Sequence, residues 1–358
     1  MELLPEQLQK ELILNGDFLA LTRQFPEKFG TSFSFQITNN QQKINVKVLE
    51  TGLICFEPVE QITCRDIVLS SGVHGNETAP IEICADLIKQ LLLGKLYLAE
   101  RVLFIFGNPV SMNIAKRFVE ENMNRLFSGG HSQDQGQGAG LINKERIRAK
   151  LLEDTVRSFY LEGSKLSTAR TRCHYDLHTA IRGSKNDKFA VYPFRHGKPW
   201  KKEQLSFMQA CGVDTILLSH SPTTTFSYFS SNEFDADAFT VELGKVMPFG
   251  ENDMTKFTQV KATLTALISG EHLQLKPFDE ADFHIYEIHQ IINRTQENFQ
   301  LNFADDVENF TDFPKGSVIA MDGEKEVITQ VEGEAIIFPN ANVAIGQRAL
   351  LTVIPAKI

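Results

Sequence analysis

His74 and Glu77 lie three positions apart in the run Ser71-Gly72-Val73-His74-Gly75-Asn76-Glu77-Thr78, between the apolar stretch 67–69 and a helical pattern over 78–93. An imidazole and a carboxylate so spaced on a strand-to-helix turn can reach one metal ion. A third nitrogen ligand completes a catalytic zinc site. The candidate is His178 in Tyr175-Asp176-Leu177-His178-Thr179, at the end of another strand-like run. Two histidines and one glutamate leave the fourth position open for water. His174 has the four-residue spacing from His178 that joins two ligands on a helix, but His-Tyr-Asp-Leu-His alternates like a strand. At ~3.3 Å per residue that separates the two by ~13 Å, so His174 is not expected to share the ion. Asp176 points to the same strand face as His178 and suits an outer carboxylate; a buried strand-end Asp satisfied by backbone amides is the alternative.

Hydrolysis by a metal-activated water also needs a general base, and Phe239-Thr240-Val241-Glu242-Leu243-Gly244 offers Glu242. A Glu inside an apolar strand is costly unless it is paired, hydrated or functional; an outward-facing strand residue is the other reading. Asn124-Arg125, following Arg117, supplies cations and an amide suited to carboxylate recognition. The neighbouring Glu120 and Glu121 leave an ordinary surface helix open as an alternative.

The elements that must position these residues follow from hydrophobic periodicity. Residues 5–24 read as an amphipathic helix, and 32–37 and 44–49 as paired strands around the turn Asn39-Asn40. Strands at 67–69, 102–106, 175–178, 215–218 and 239–243 then alternate with helices at 78–93, 143–162, 199–211 and 254–269. That order implies an α/β fold, a largely parallel or mixed sheet flanked by helices. In such sheets the carboxyl ends of the strands build the site, and His74, His178 and Glu242 lie at or just past such ends. Beyond Glu271, short β-type runs at 283–292, 316–321, 326–329, 335–338 and 349–354 are separated by Asp, Asn, Gly and Pro, and predict a small all-β domain. The expected division is therefore 1–270 and 271–358. The Gly/Gln/Ser-rich stretch 128–140 reads as an exposed or mobile loop, and it lacks the Lys-Ser/Thr ending of a phosphate loop.

A chain of 358 residues, 42% hydrophobic, can bury a sizeable core, and a formal net charge of -9 argues against broad nucleic-acid or anionic-membrane binding. One basic pocket on an acidic protein still permits an acidic substrate. The N-terminal segment has no basic start or unbroken apolar stretch, and no later run reaches membrane-spanning length, so a cytoplasmic location is expected. The cysteines at 55, 64, 84, 173 and 211 are odd in number and form no CxxC pair, so neither a disulfide framework nor a thiolate zinc knuckle is indicated, and buried thiols are the simplest reading. The sequence carries no signal of oligomeric state.

His-Gly-Asn-Glu, the Arg-then-Asn-Arg segment from Arg117 to Arg125, Asp-Leu-His-Thr and Val-Glu-Leu-Gly occur in that order between residues 71 and 244. The set resembles the succinylglutamate desuccinylase and aspartoacylase group of zinc carboxypeptidase-like amidohydrolases, and the β-rich tail fits that family's second domain. Within the group, His178 to Ser184 and Ala190 to Phe194 look more like the succinylglutamate-cleaving branch. The resemblance implies one Zn2+ per chain on His74, Glu77 and His178. It implies Glu242 as general acid/base on the zinc-bound water, Arg117 as the carbonyl-polarising arginine, and Asn124 and Arg125 as a carboxylate clamp. Tyr228 matches a substrate-contacting tyrosine. The implied reaction is hydrolysis of N2-succinylglutamate to succinate and glutamate, the last step of arginine breakdown by the succinyl route. One position departs: Asn232 stands where aspartoacylases carry a second carboxylate-binding arginine, and Arg182 is the candidate to supply that charge, a plain loop arginine being the alternative. An aspartoacylase-like deacylase or a zinc carboxypeptidase would share the core chemistry. A noncatalytic binding protein is disfavoured by the presence of all three ligands and the base.

Overall fold

The apolar run before His74 lies in a strand whose residues Asp66 to Ser71 are all buried, as a central strand covered on both faces requires. The structure, a computed structural model, describes residues 5–39, 42–134, 138–166 and 169–358. Helices α1 (Pro5–Asn15) and α2 (Phe18–Gln24) precede strands β1 (Phe33–Asn39), β2 (Gln42–Glu50) and β3 (Leu53–Pro58). Then follow β4 (Arg65–Ser71), α3 (Thr78–Leu92), β5 (Arg101–Phe106), α4 (Pro109–Asn113), α5 (Lys144–Leu166), β6 (Thr171–Ala180), β7 (Phe189–Tyr192), α6 (Lys202–Ala210), β8 (Thr215–Leu218), α7 (Phe226–Phe234), β9 (Asp237–Lys245) and α8 (Thr258–Ser269). The tail contributes β10 (His284–Asn293), β11 (Gln300–Leu301), β12 (Asp312–Phe313), β13 (Val318–Asp322), β14 (Lys325–Ile328), β15 (Glu334–Ile337) and β16 (Arg348–Pro355).

Strands β5, β4, β6 and β9 lie side by side in parallel. An antiparallel meander β1-β2-β3 extends the sheet beyond β5, and β7 and β8 extend it beyond β9. Alternation along β4 sends Ile67 and Leu69 into one core with Ile81, Leu87 and Leu91 of α3, and Val68 into the other with Leu152, Val156 and Phe159 of α5. The sheet is thus mixed and helix-covered, as the alternating pattern predicts. The β-rich tail is not insulated from it. Strand β10 pairs in parallel with β8, and β16, β15 and β12 continue the same 13-stranded sheet, while β11, β13 and β14 form a separate small sheet. Phe189 and Leu217 of the catalytic half share a core with Phe310, Leu351 and Val353 of the tail. Among the described residues no helix is long and apolar enough to cross a membrane.

Several sequence expectations shift. The helix read over 5–24 breaks at Gly16, whose φ of +68° ends α1. The helix read over 254–269 begins as a 3-10 turn, Met254–Phe257. The turn residue Asn40 lies outside the described residues, but the flanking strands pair as expected, Phe33 opposite Val48. The glycine-rich stretch 128–140 is not simply an exposed loop. Gly130 and His131 are buried, and the buried Arg146 guanidinium donates to the carbonyls of Gln133, Gly138 and Gly140; residues 135–137 lie outside the described residues. Strands β3 and β7 and helix α7 were not expected. The last is built largely from Phe and Ser, weak helix formers, and is fixed by packing rather than propensity.

Candidate metal and catalytic site

The turn from β4 to α3 is shaped by its glycines. Gly72 sits at φ +64°, and a Cβ on Gly75 would fall 2.3 Å from the Met112 nitrogen and the Ser111 hydroxyl. The close approach lets the Gly75 N–H donate to the Arg117 carbonyl at 3.1 Å, tying the turn to the arginine segment. Glu77 occupies the N-cap position of α3 yet makes no capping bond with its side chain. Its carboxylate turns toward the two histidines, where the positive end of the helix still favours its charge.

His74, Glu77 and His178 are buried and offer ligand atoms all within 4.8 Å of one another. His178 Nδ1 is 2.9 Å from Glu77 Oε2, and His74 Nδ1 is 2.8 Å from Glu77 Oε1. The His74 contact lacks hydrogen-bond orientation, so Nδ1 is a buried nitrogen without a hydrogen-bond partner. The opposite ring nitrogens are engaged: His178 Nε2 with Asp176 Oδ2 at 2.8 Å, and His74 Nε2 with Asn122 Oδ1 at 2.9 Å. Asn122 Oδ1 selects for His74 the tautomer that carries its proton on Nε2 and leaves Nδ1 free, whereas His178 lies between two carboxylates and hydrogen-bonds to both. Two imidazoles, one with an orphaned buried nitrogen, and one carboxylate fit a zinc ion. Burial and the Arg117 charge bring His74 down to about 4, so its ring is neutral at ordinary pH. Burial alone would raise Glu77, but His74, Arg117 and His178 hold it well below the usual carboxylate range. Burial would lower His178, but Asp176 and Glu77 hold it well above the ordinary histidine range. A metal ion must therefore displace that proton.

Asp176 acts as the outer carboxylate the sequence suggested. It also accepts from Ser70 Oγ at 2.5 Å, and Ser70 is held by His174, whose other nitrogen meets Ser230 Oγ at 2.7 Å. His174 is thus a hydrogen-bonded core residue, outside the three-residue cluster, as the strand alternation requires. Replacing Asp176 by Asn is expected to weaken zinc affinity by roughly 10–100-fold, read by competition with a chelator, while the fold is retained. An unchanged affinity would mean that Asp176 does not tune the ligand.

Glu242 stands opposite His178 in the β6–β9 register, and the pairing is irregular just beyond, between His178 and Ala180. Its side chain is buried, and Oε2 has no hydrogen-bond partner. Burial, reinforced by the charges of Glu77 and Asp176, pushes it up to about 7 against the opposing pull of His178 and Arg117. It lines one cavity together with His74, Arg117, Asn124, Arg125 and Arg182. Arg117 reaches Glu77 Oε1 at 2.5 Å. The segment bearing Asn124 and Arg125 is a 3-10 turn, Met123–Arg125, not a surface helix. Asn124 Oδ1 accepts from the Phe226 N–H at 3.2 Å, and Phe127 stacks on Phe226 with centroids 4.1 Å apart, so α7 anchors this turn. Glu121 is buried as well, paired with Arg146 at 2.7 Å.

One expectation is not met by the geometry, and one departure noted in the sequence is consistent with it. Tyr228 does not line the cavity, and its hydroxyl is bound to His196 Nε2 at 3.0 Å. Asn232 is exposed on α7. Two residues of the site escaped the sequence. Asn122 lies inside the Arg117–Arg125 segment and carries no spacing signal of its own. Arg348 reaches the cavity from the β-rich tail, where nothing in the sequence marks a functional position.

The chain is similar to known proteins over nearly its whole length. Residues 63–268 match the model of the succinylglutamate desuccinylase/aspartoacylase catalytic domain, and residues 281–356 match the AstE/AspA barrel-sandwich hybrid domain. The chain is 51% identical over 352 residues to the succinylglutamate desuccinylase of Shewanella denitrificans, covering 98% of both chains. The Pseudoalteromonas atlantica succinylglutamate desuccinylase is also 51% identical, with 98% of each chain covered. Among solved structures, the succinylglutamate desuccinylase of Chromobacterium violaceum superposes with a TM-score of 0.80 at 34% identity, covering 96% of this chain and 98% of that one.

Proposed function

Because the chain belongs to the succinylglutamate desuccinylase/aspartoacylase family, we propose that it is a zinc-dependent amidohydrolase that cleaves N2-succinylglutamate to succinate and glutamate. The observation that carries the reading is one cavity lined by His74 of the His74–Glu77–His178 cluster, by Glu242, whose buried Oε2 has no hydrogen-bond partner, and by several arginines. On a chain of net charge -9, a cavity so rich in guanidinium groups selects anionic substrates. The substrate carries three carboxylates flanking one amide.

His74, Glu77 and His178 would hold the zinc ion, which would supply Lewis acidity and lower the pKa of a water there. Glu242, its carboxyl pushed up to about 7 by burial, takes the proton of the attacking water and later returns it to the departing glutamate nitrogen. Arg117 commits one donor to Glu77 and has further N–H groups for the oxyanion that develops on the succinyl carbonyl. Asn124, Arg125 and Arg182 orient the carboxylates. The division into a catalytic domain, 1–270, and a β-rich domain, 271–358, is supported by the end of α8 at Ser269.

Amine release from N2-succinylglutamate and N-acetylaspartate, measured side by side on metal-stripped protein and after zinc is restored, tests the reading. Zinc-dependent hydrolysis of the succinyl substrate alone is expected, since Asn232 provides no buried arginine at the aspartoacylase position. Activity on neither substrate with one zinc bound per chain would overturn it.

A further inference from the structure

Four arginines line the cavity, Arg117, Arg125, Arg182 and Arg348, and Glu242 is the one acidic lining residue among those described. They are not equivalent. Arg117 is paired with Glu77. Arg182 reaches only the Ala304 carbonyl and the fully exposed Asp305, each at 3.4 Å. Arg125 spends one donor on the adjacent Asn124 carbonyl at 2.8 Å and has no acidic partner among the described residues. Arg348 has none at all there: its Nε is enclosed without an acceptor, and its guanidinium rests over the Phe338 ring at 5.6 Å.

The backbone presents Arg348 rigidly. It opens β16, its Cα pairs with Asn293 of β10, and the next carbonyl, of Ala349, accepts from the Asn340 N–H at 2.7 Å. Burial brings Arg348 down to about 10; Arg125 falls well below its usual value through burial and then through the charges of Arg348 and Arg117. A guanidinium stays charged in proteins, so two cations line one cavity with their donors largely unspent. That arrangement is unfavourable unless an anion joins them. Apolar side chains, Val191, Leu217, Ile288 and Leu351, line the same cavity and suit a short methylene chain.

We propose that Arg348 and Arg125 form a carboxylate subsite, in which the β-rich domain supplies the second guanidinium that holds a substrate carboxylate remote from the scissile amide. Arg348 thus adds, from β16, a further charge beside the one expected of Arg182. The inference rests on the function proposed above, and the ligand chemistry is a carboxylate at the end of a two-methylene chain. The succinyl end and the glutamate side chain both offer one.

Calorimetric binding of succinate and of glutamate to the zinc-loaded wild type, Arg348→Gln and Arg348→Lys distinguishes the two sources. Arg348→Gln is expected to weaken one product by about 10- to 100-fold, the range of a lost charge-assisted contact, and to leave the other within two-fold. Arg348→Lys restores part of the loss, and KM for N2-succinylglutamate rises with little change in kcat. The product that weakens identifies the carboxylate. The subsite is overturned if wild type binds neither product, if both affinities stay within two-fold in Arg348→Gln, or if both fall equally. Failure of wild type to hydrolyse N2-succinylglutamate, with selective product binding intact, overturns the function and not the subsite.

Discussion

Glu242→Gln is expected to abolish turnover of N2-succinylglutamate while leaving one zinc per chain. The side chain is buried beside His178, outside the ligand set, and its Oε2 accepts nothing from the protein. An unpaired buried carboxyl destabilises the fold, so its presence is accounted for by what it does to substrate and water. Gln preserves the shape and removes only the capacity to carry a proton. Proton transfer by a positioned side chain contributes about 10²- to 10⁴-fold, and the proposed mechanism gives Glu242 two transfers, so kcat should fall toward the upper end of that range. KM should change little, because the carboxylate-binding arginines are untouched. Metal content by atomic absorption and amine release together check this. A variant within ten-fold of wild type would remove Glu242 as the base, and a variant without zinc would make it a metal-site residue.

The catalytic half of the site was legible because its chemistry is local in sequence. His74 and Glu77 share one turn, and His178 and Glu242 each lie near the end of a strand, the first marked by its alternation and the second by its apolar run. Their register, His178 opposite Glu242, follows once both strands are parallel neighbours. The strand alternation alone separated His174 from the ligands, and the structure gives it to Ser70 and Ser230. What the sequence lacked were long-range contacts with no periodic signature. Asn122 reaches His74 through a turn whose conformation depends on α7, a helix with poor local propensity. Arg348 stands at the head of a β-strand like any other, and it becomes a cavity residue only because β10 pairs with β8 and brings the tail onto the catalytic sheet. The same docking explains why a tail read as a separate β domain shares a core with Phe189 and Leu217. Tyr228 shows the converse: a match by position, turned by the α7 geometry toward His196.

His178→Ala is expected to lose the metal altogether, and the size of that loss separates a ligand from its supports. In the protein, His178 bridges two buried carboxylates, Asp176 at 2.8 Å and Glu77 at 2.9 Å. Removing the ring deletes one of three donor atoms and leaves those carboxylates facing each other without the cation that balanced them. Zinc affinity should fall well beyond the roughly 10–100-fold cost of losing an outer partner. The metal-free variant should also be less stable than metal-free wild type by about 3–5 kcal/mol, the cost of breaking a buried charge pair on one side. Added zinc at concentrations that restore Asp176→Asn should then fail to restore His178→Ala. Urea unfolding of both metal-free proteins and zinc titration against a chelator measure the two effects independently. Tight binding of one zinc by His178→Ala would sink the ligand assignment. An unchanged unfolding midpoint with zinc lost would keep the assignment and show that the two carboxylates are balanced in the metal-free protein by Arg117, which already reaches Glu77.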